Sequence, residues 1–414
     1  MAGRRGLAAA FVGAVLIVGC GQADSFPPVK PVSMNLTDSS AGFGIALTDR
    51  LLAKPDAGNV FISPLSATLM LSMAASAAEG PTRASIMTTL GLDPALDPSS
   101  QAKLTIDRLM QSDENAQLEL AQAVWAQKGL KMNPTYVAQL RDAYRAQIAS
   151  LDFTSPGAPK VVNDWVDNAS HHKITQLVDS FDPSTVAYLV NATYFHALWA
   201  TEFQKSGDAV DFHTFSGKVV NPPMMKRNEN VIELWTPDYV AELLPYKGGR
   251  FSMVLLLPGK QLSSVGFAGL LTKTTWRNVL DFMHLSVGPS LGSRCKPWDG
   301  GSLGLAPNAR VICDGSLVMP KFKLEYQAEL LPELQGMGMV TSDLANICSG
   351  CFLSQVVQKT YLEVDEKGTT AAAATGGAVP ASLRIPTVID RPFAMALIDN
   401  ASNAPLFLGV IGNL

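Results

Sequence analysis

Two periods organise the apolar positions of this chain, and the switches between them mark its elements. The run Val356-Val357-Gln358-Lys359-Thr360-Tyr361-Leu362-Glu363-Val364 is rich in β-branched and aromatic residues and predicts a strand. Pro392-Phe393-Ala394-Met395-Ala396-Leu397-Ile398 and Pro405-Leu406-Phe407-Leu408-Gly409-Val410-Ile411 are continuous apolar runs of strand length and predict two buried strands. The helical period shows after Ser63-Pro64, where Leu65, Leu69, Met73 and Ala77 recur on one face. There the Ser63 hydroxyl is expected as N-cap, Pro64 as the first helical residue and Gly80 as the end of the helix. Helical and strand-like segments are mixed without a strand–helix–strand rhythm, which predicts an α+β architecture. No Pro/Gly/Ser-rich or charge-rich break divides the chain after residue 37, so one large domain is expected.

Between the strand ending at Val364 and the next at Pro392 stands Glu366-Lys367-Gly368-Thr369-Thr370-Ala371-Ala372-Ala373-Ala374-Thr375-Gly376-Gly377. Its position between buried strands makes it a loop of the folded domain and not a tail. A solvated loop is ordinarily built from Asn, Asp, Gly and Pro, whereas this one carries no charge, proline or bulk from Gly368 to Val379. Composition leaves two readings open: a flexible Gly/Ala linker, or a segment able to enter a protein interior with no charge to bury.

At the N-terminus Arg4 and Arg5 precede an apolar run, Leu7 to Val18, which reads as an export signal too short to span a membrane as a helix. Ile17-Val18-Gly19-Cys20 resembles the cleavage box of bacterial lipoproteins, with Ile17 where Leu is commonest. On that reading residues 1–20 are a lipoprotein signal peptide, Cys20 is lipidated, and residues 21–37 form a polar tether to the membrane of the bacterial cell envelope or surface. The alternative is an ordinary secretory peptide cut nearby, giving a secreted protein. With Cys20 carrying lipid, Cys295, Cys313, Cys348 and Cys351 remain. An even number in an exported chain predicts two disulfides, with the pairing open.

Composition narrows the function further. Hydrophobic residues at 47% supply ample core, and the net charge of −4 comes with Lys and Arg that, after the Arg4-Arg5 pair, are scattered with no cluster beyond Lys226-Arg227. That excludes the basic face nucleic-acid binding requires. Gly300-Gly301-Ser302-Leu303-Gly304 matches the GxSxG pattern of hydrolases, but that motif works only on a strained turn between a strand and a helix. The flanks Pro297-Trp298-Asp299 and Leu305-Ala306-Pro307-Asn308 predict neither, so the match is read as chance. His171, His172, His196, His213 and His284 show no metal-ligand spacing, and Cys348-Ser349-Gly350-Cys351 has no second pair to complete a zinc site. No cofactor or metal is expected.

Seven short motifs occur in one order: Asn59-Val60-Phe61-Ile62-Ser63-Pro64-Leu65-Ser66, Asn191-Ala192-Thr193-Tyr194-Phe195-His196-Ala197-Leu198-Trp199, Met224-Met225-Lys226, Leu244-Pro245-Tyr246-Lys247-Gly248, Met319-Pro320-Lys321-Phe322-Lys323-Leu324, Glu366-Lys367-Gly368-Thr369 and Arg391-Pro392-Phe393. Together they resemble the serpin family, the serine protease inhibitor superfamily, over about residues 38–414. The resemblance implies a monomeric α+β fold, with helices packed around three β-sheets and an exposed reactive-centre loop at about 367–390. The segment at about 293–314 is longer than the family usually has there, and a bridge between Cys295 and Cys313 would hold it in shape.

The resemblance further implies a protease inhibitor and not an enzyme, acting as a suicide substrate of serine, and by extension cysteine, proteases. The target cuts the loop and forms an acyl-enzyme, and the cut loop then enters the main sheet as an extra strand. The hinge of that movement is Glu366, Gly368, Thr369, Thr370, Ala371, Ala372, Ala373 and Ala374. Strand alternation would turn Thr369, Ala371, Ala373 and Thr375 inward and Thr370, Ala372 and Ala374 outward. Family spacing from Glu366 puts the reactive bond at Ser382–Leu383, with Ala381 and Arg384 as frame-shifted alternatives. A small residue before the cut suits elastase-like or subtilisin-like proteases, Leu383 a chymotrypsin-like one and Arg384 a trypsin-like one. Ser63, Ser66 and Asn191 match positions where hydrogen bonds control opening of the sheet, and Gln358 stands where the family usually has a histidine. An amide donates and accepts but does not titrate, so pH dependence from that histidine should be missing. Non-inhibitory serpins, which act as binding or surface proteins, often carry proline, charge or bulk in the hinge; none occurs here from Gly368 to Val379.

Overall fold

The computed structural model of the chain describes residues 7–19, 35–54, 57–111, 113–207, 209–286, 309–367 and 385–414. The first elements are β1 (Leu7–Gly19), α1 (Leu36–Leu52), β2 (Val60–Ile62), α2 (Pro64–Ala77), α3 (Gly80–Thr89) and α4 (Pro98–Leu109). Next come β3 (Ala116–Gln127), α5 (Pro134–Asp142), β4 (Gln147–Leu151), α6 (Ala158–Ala169), β5 (Thr185–Ala197), β6 (Gln204–Lys205), β7 (Phe212–His213) and β8 (Val219–Val220). They are followed by β9 (Met224–Trp235), β10 (Tyr239–Pro245), β11 (Phe251–Pro258), α7 (Ser264–Leu270), α8 (Lys273–Ser286), β12 (Arg310–Pro320), β13 (Phe322–Glu329) and α9 (Leu331–Gly336). The chain closes with β14 (Cys351–Val364), β15 (Thr387–Val388), β16 (Phe393–Asp399) and β17 (Ala404–Ile411).

Among the described residues the strands form three sheets: six strands in the order β13-β14-β1-β5-β3-β4, nine in the order β15-β12-β9-β10-β11-β16-β17-β2 with β6 beside β9, and the pair β7-β8. Segments read from the sequence as β-branched or continuously apolar become β14, β16 and β17, and every residue of β16 and β17 is buried. Helices cover both large sheets, which makes the architecture α+β.

Helix α2 is the hub between the sheets, packing against α1, α3, α4, β5 and β17. The sequence suggested one apolar face, but all residues of α2 are buried, so Ser66, Thr68, Ser72 and Ser76 turn their hydroxyls onto partners inside the protein. The expected cap is absent in one respect: Pro64 does open the helix, yet the Ser63 hydroxyl makes no cap hydrogen bond and donates to the carbonyl of Leu406 at 2.6 Å. Nor does Gly80 end α2. The helix stops at Ala77, and Gly80 opens α3 with a φ of +51°. Gly44 on α1 allows the approach of the two helices, since a Cβ there would lie 2.5 Å from Pro64 Cγ.

The apolar stretch at the N-terminus occupies the centre of the six-stranded sheet. β1 lies between β14 and β5, antiparallel to both. On one side Ala9 faces Leu362 and Gly19 faces Cys351; on the other Leu7 faces Ala197 and Val18 faces Thr185. An uncharged segment suits such a position because nothing in its sequence has to be stripped of water as a charge.

Cys348 and Cys351 are joined by a disulfide with their Cα atoms 5.4 Å apart, closing the turn that leads into β14. Cys313 is disulfide-bonded as well, while Cys295 and Cys20 lie outside the described residues. Of the long segment at about 293–314, the part from Arg310 onward is strand, paired with β9. The Gly300–Gly304 match falls outside the described residues.

Candidate functional site

Three places in the fold bear on the loop that follows Glu366. The first is where β14 ends. Lys321 immediately precedes Phe322, which faces Val364 across the β13–β14 ladder, and its Nζ lies 3.1 Å from a carboxylate oxygen of Glu366. Two backbone carbonyls are held from the other side: the Phe203 amide donates to Glu366 at 2.8 Å, and the Trp199 indole donates to Asp365 at 3.0 Å. Burial raises the pKa of the Asp365 carboxyl, against a hydrogen bond from the Lys367 amide.

Trp199 itself stacks on Tyr246 with ring centres 4.6 Å apart and meets Phe203 edge-on at 5.7 Å. The buried Arg227 guanidinium sits 4.1 Å from the Phe203 ring centre and donates to the Thr201 carbonyl. Burial pushes its pKa down to about 9. Such cation–π stacking compensates part of the desolvation of the guanidinium. Motifs far apart in sequence, those around Trp199, Met224, Tyr246, Lys321 and Glu366, therefore meet at one end of one strand.

The second place lies beneath the middle of the six-stranded sheet, where Ser63, Ser66, Asn191 and Gln358 come together, all fully buried. The Gln358 side chain accepts from the Ser63 amide at 3.3 Å and donates to the Ser63 carbonyl at 3.1 Å, so both ends of its amide are used on one residue. Ser66 does not reach Asn191 directly. Its hydroxyl bonds that of Thr193, which in turn donates to the Asn191 side-chain oxygen at 3.4 Å. Thr360 donates to the Phe61 carbonyl at 2.7 Å and ties β14 to β2. Thr193 and Thr360 escaped the sequence reading, although each stands two residues beyond a named member on the same strand and so shares its face. Gly13 of β1 is opposite both Asn191 and Gln358.

The third place is where the chain returns. Ile385 is 95% exposed, and then Thr387–Val388 joins the nine-stranded sheet parallel to β12, with Leu317 opposite Thr387. The amide of Ile389 donates to Val318 at 2.9 Å. Arg391 donates to the Pro258 carbonyl, and Phe393 is buried edge-on against Phe322 at 5.8 Å. Hinge residues Gly368, Thr369, Thr370, Ala371, Ala372, Ala373 and Ala374, and the reactive-bond candidates Ala381, Ser382, Leu383 and Arg384, lie outside the described residues.

His171 and His172 follow α6 in left-handed backbone conformations and pair separately, with Glu119 at 3.1 Å and Asp167 at 2.7 Å. No group of three metal-binding side chains occurs among the described residues.

Comparison with known proteins agrees with this geometry. The family model described as serpin (serine protease inhibitor) matches residues 38–288 and 306–414. A plasma serine protease inhibitor of Bos taurus is 31% identical over 404 residues, covering 92% of each chain. Leukocyte elastase inhibitor A of Mus musculus is 28% identical over 394 residues, covering 90% of this chain and 98% of its own. Among solved structures, native tengpin, a thermophilic serpin, superposes with a TM-score of 0.73 at 23% identity, over 95% of this chain and 100% of its own. With the family model matching most of its length, a relative above 30% identity and a shared fold, this chain belongs to the serpin family.

Proposed function

We propose that this serpin is a suicide-substrate inhibitor of serine proteases, exported as a membrane-anchored lipoprotein through Cys20. The observation that carries the inhibitory reading is the pairing of β1. A strand fits between β14 and β5 antiparallel to both, and a chain turning back after Glu366 at the end of β14 would run in that same direction. The hinge sequence, small and uncharged from Gly368 to Val379, suits such an entry.

The chemistry belongs to the protease. Its serine oxygen attacks the carbonyl carbon of Ser382 and the Ser382–Leu383 bond breaks. The serine proton passes through the catalytic histidine to the leaving amine of Leu383, and the inhibitor stays on as an ester. Release of the Glu366–Lys321 pair and the Phe203 and Trp199 contacts lets the hinge enter the sheet before water reaches that ester. A small residue before the cut, and the relative that inhibits leukocyte elastase, both favour an elastase-like or subtilisin-like target.

The test is to mix the processed protein with elastase, subtilisin, chymotrypsin and trypsin. An SDS-stable complex is expected with an elastase-like or subtilisin-like enzyme. Loop cleavage with no covalent complex across the whole panel would overturn the inhibitory reading in favour of a binding or surface serpin.

A further inference from the structure

We infer that in the uncleaved chain β1 occupies the strand position that loop insertion needs, so that the precursor is cut as a substrate and acquires inhibition only when the residues before Cys20 are removed. This rests on the inhibitory reading above. Its structural half, the placement of β1, can be tested without it.

The backbone argument is direct. β1 pairs with β14 from Cys351 to Leu362 and with β5 from Thr185 to Ala197. Along that length the facing N–H and C=O groups of β14 and β5 are engaged by β1, and a second strand has no ladder left to join. Direction agrees too, since β1 is antiparallel to both neighbours, as a loop folding back from Glu366 must be. Sequence agrees as well. Leu7-Ala8-Ala9-Ala10 with Gly13-Ala14 offers the same absence of charge as Thr370-Ala371-Ala372-Ala373-Ala374, and it stays covalently attached, so its local concentration is high. Gly13 stands level with Asn191 and Gln358, so β1 crosses the sheet directly over the buried hydrogen-bond cluster. One cut before Cys20 would then release the membrane anchor site and vacate the sheet together, leaving the precursor inactive as an inhibitor before export.

Two measurements on the full chain test this. Val12 faces Lys359. In the double variant Val12→Cys with Lys359→Cys, peptide mapping without reduction should find residues 12 and 359 joined by a disulfide in most molecules. The second measurement compares the unaltered full chain with Gly13→Pro, which removes one amide donor from the middle of β1 and leaves every residue from 35 onward unchanged. After limited subtilisin cleavage of the loop, Gly13→Pro should gain thermal stability as the loop inserts, and the unaltered full chain should not. Gly13→Pro should also trap at least tenfold more protease. Cross-linking with a stability gain confined to Gly13→Pro supports the inference even if no protease is trapped, an outcome that would sink the inhibitory reading alone. No cross-link, or equal stability gain in both proteins, overturns it.

Discussion

At the level of single residues, several polar groups buried in the sheets have defined hydrogen-bond partners. The Gln358 amide bonds Ser63 with both its ends, and Thr193 relays Ser66 to Asn191. A different balance holds in the nine-stranded sheet, where Glu242 on β10 faces Glu233 on β9 and is fully buried. Burial, and then the neighbouring Glu233, raises the Glu242 pKa well above its ordinary 4.5. The folded state therefore holds the proton more tightly than the unfolded chain. Stability from this group is complete below about pH 4.5 and is lost as the pH rises toward the folded-state pKa, at about 1.4 kcal/mol per pH unit. Glu242→Gln keeps the shape and removes the titration. Urea unfolding should show the variant more stable than the parent at pH 8 by at least about 1 kcal/mol and nearly equal to it at pH 4. Equal stability at both would mean that Glu242 is not held neutral.

At the level of elements, alternation is the property the hinge depends on. A strand entering the sheet must place every second side chain against the helices beneath, and the first inward position assigned to the hinge is Thr369. Thr369→Arg would bring an unpaired cation under the sheet, at a cost of several kcal/mol, enough to stall insertion while the ester hydrolyses. That variant should be cut at the normal bond and released as a substrate. Thr370→Arg should keep inhibition nearly intact, because strand alternation would turn its side chain outward on insertion. Equal loss in both, measured as moles of inhibitor consumed per mole of protease trapped, would refute the alternation. Helix α2 shows the limit of such pattern reading. Its sequence marks one apolar face, yet the helix is buried on all sides, and serine or threonine can be buried wherever a backbone carbonyl one turn back accepts the hydroxyl.

At the level of the whole molecule, the proposals on address and on activity both turn on the N-terminus. If Cys20 carries the anchor, Cys20→Ala should move the protein out of the membrane fraction or block its processing, since acyl chains supply most of the binding energy at a bilayer. Unchanged partition in a carbonate-washed membrane fraction would defeat the lipoprotein assignment. The sequence by itself determined the family, the α+β class, the strand runs 356–364, 392–398 and 405–411 that fall on β14, β16 and β17, and the four buried residues Ser63, Ser66, Asn191 and Gln358. These are local patterns or motifs whose residue types are dictated by burial and strand geometry. Tertiary structure decided the rest. Only folding brings Trp199, Arg227, Tyr246, Lys321 and Glu366 to one strand end, sends the Ser63 hydroxyl to Leu406 instead of to its own helix, and inserts β1 between β14 and β5. Those outcomes depend on contacts between distant segments, and an apolar uncharged stretch specifies only that it avoids water, not which partner removes it from water.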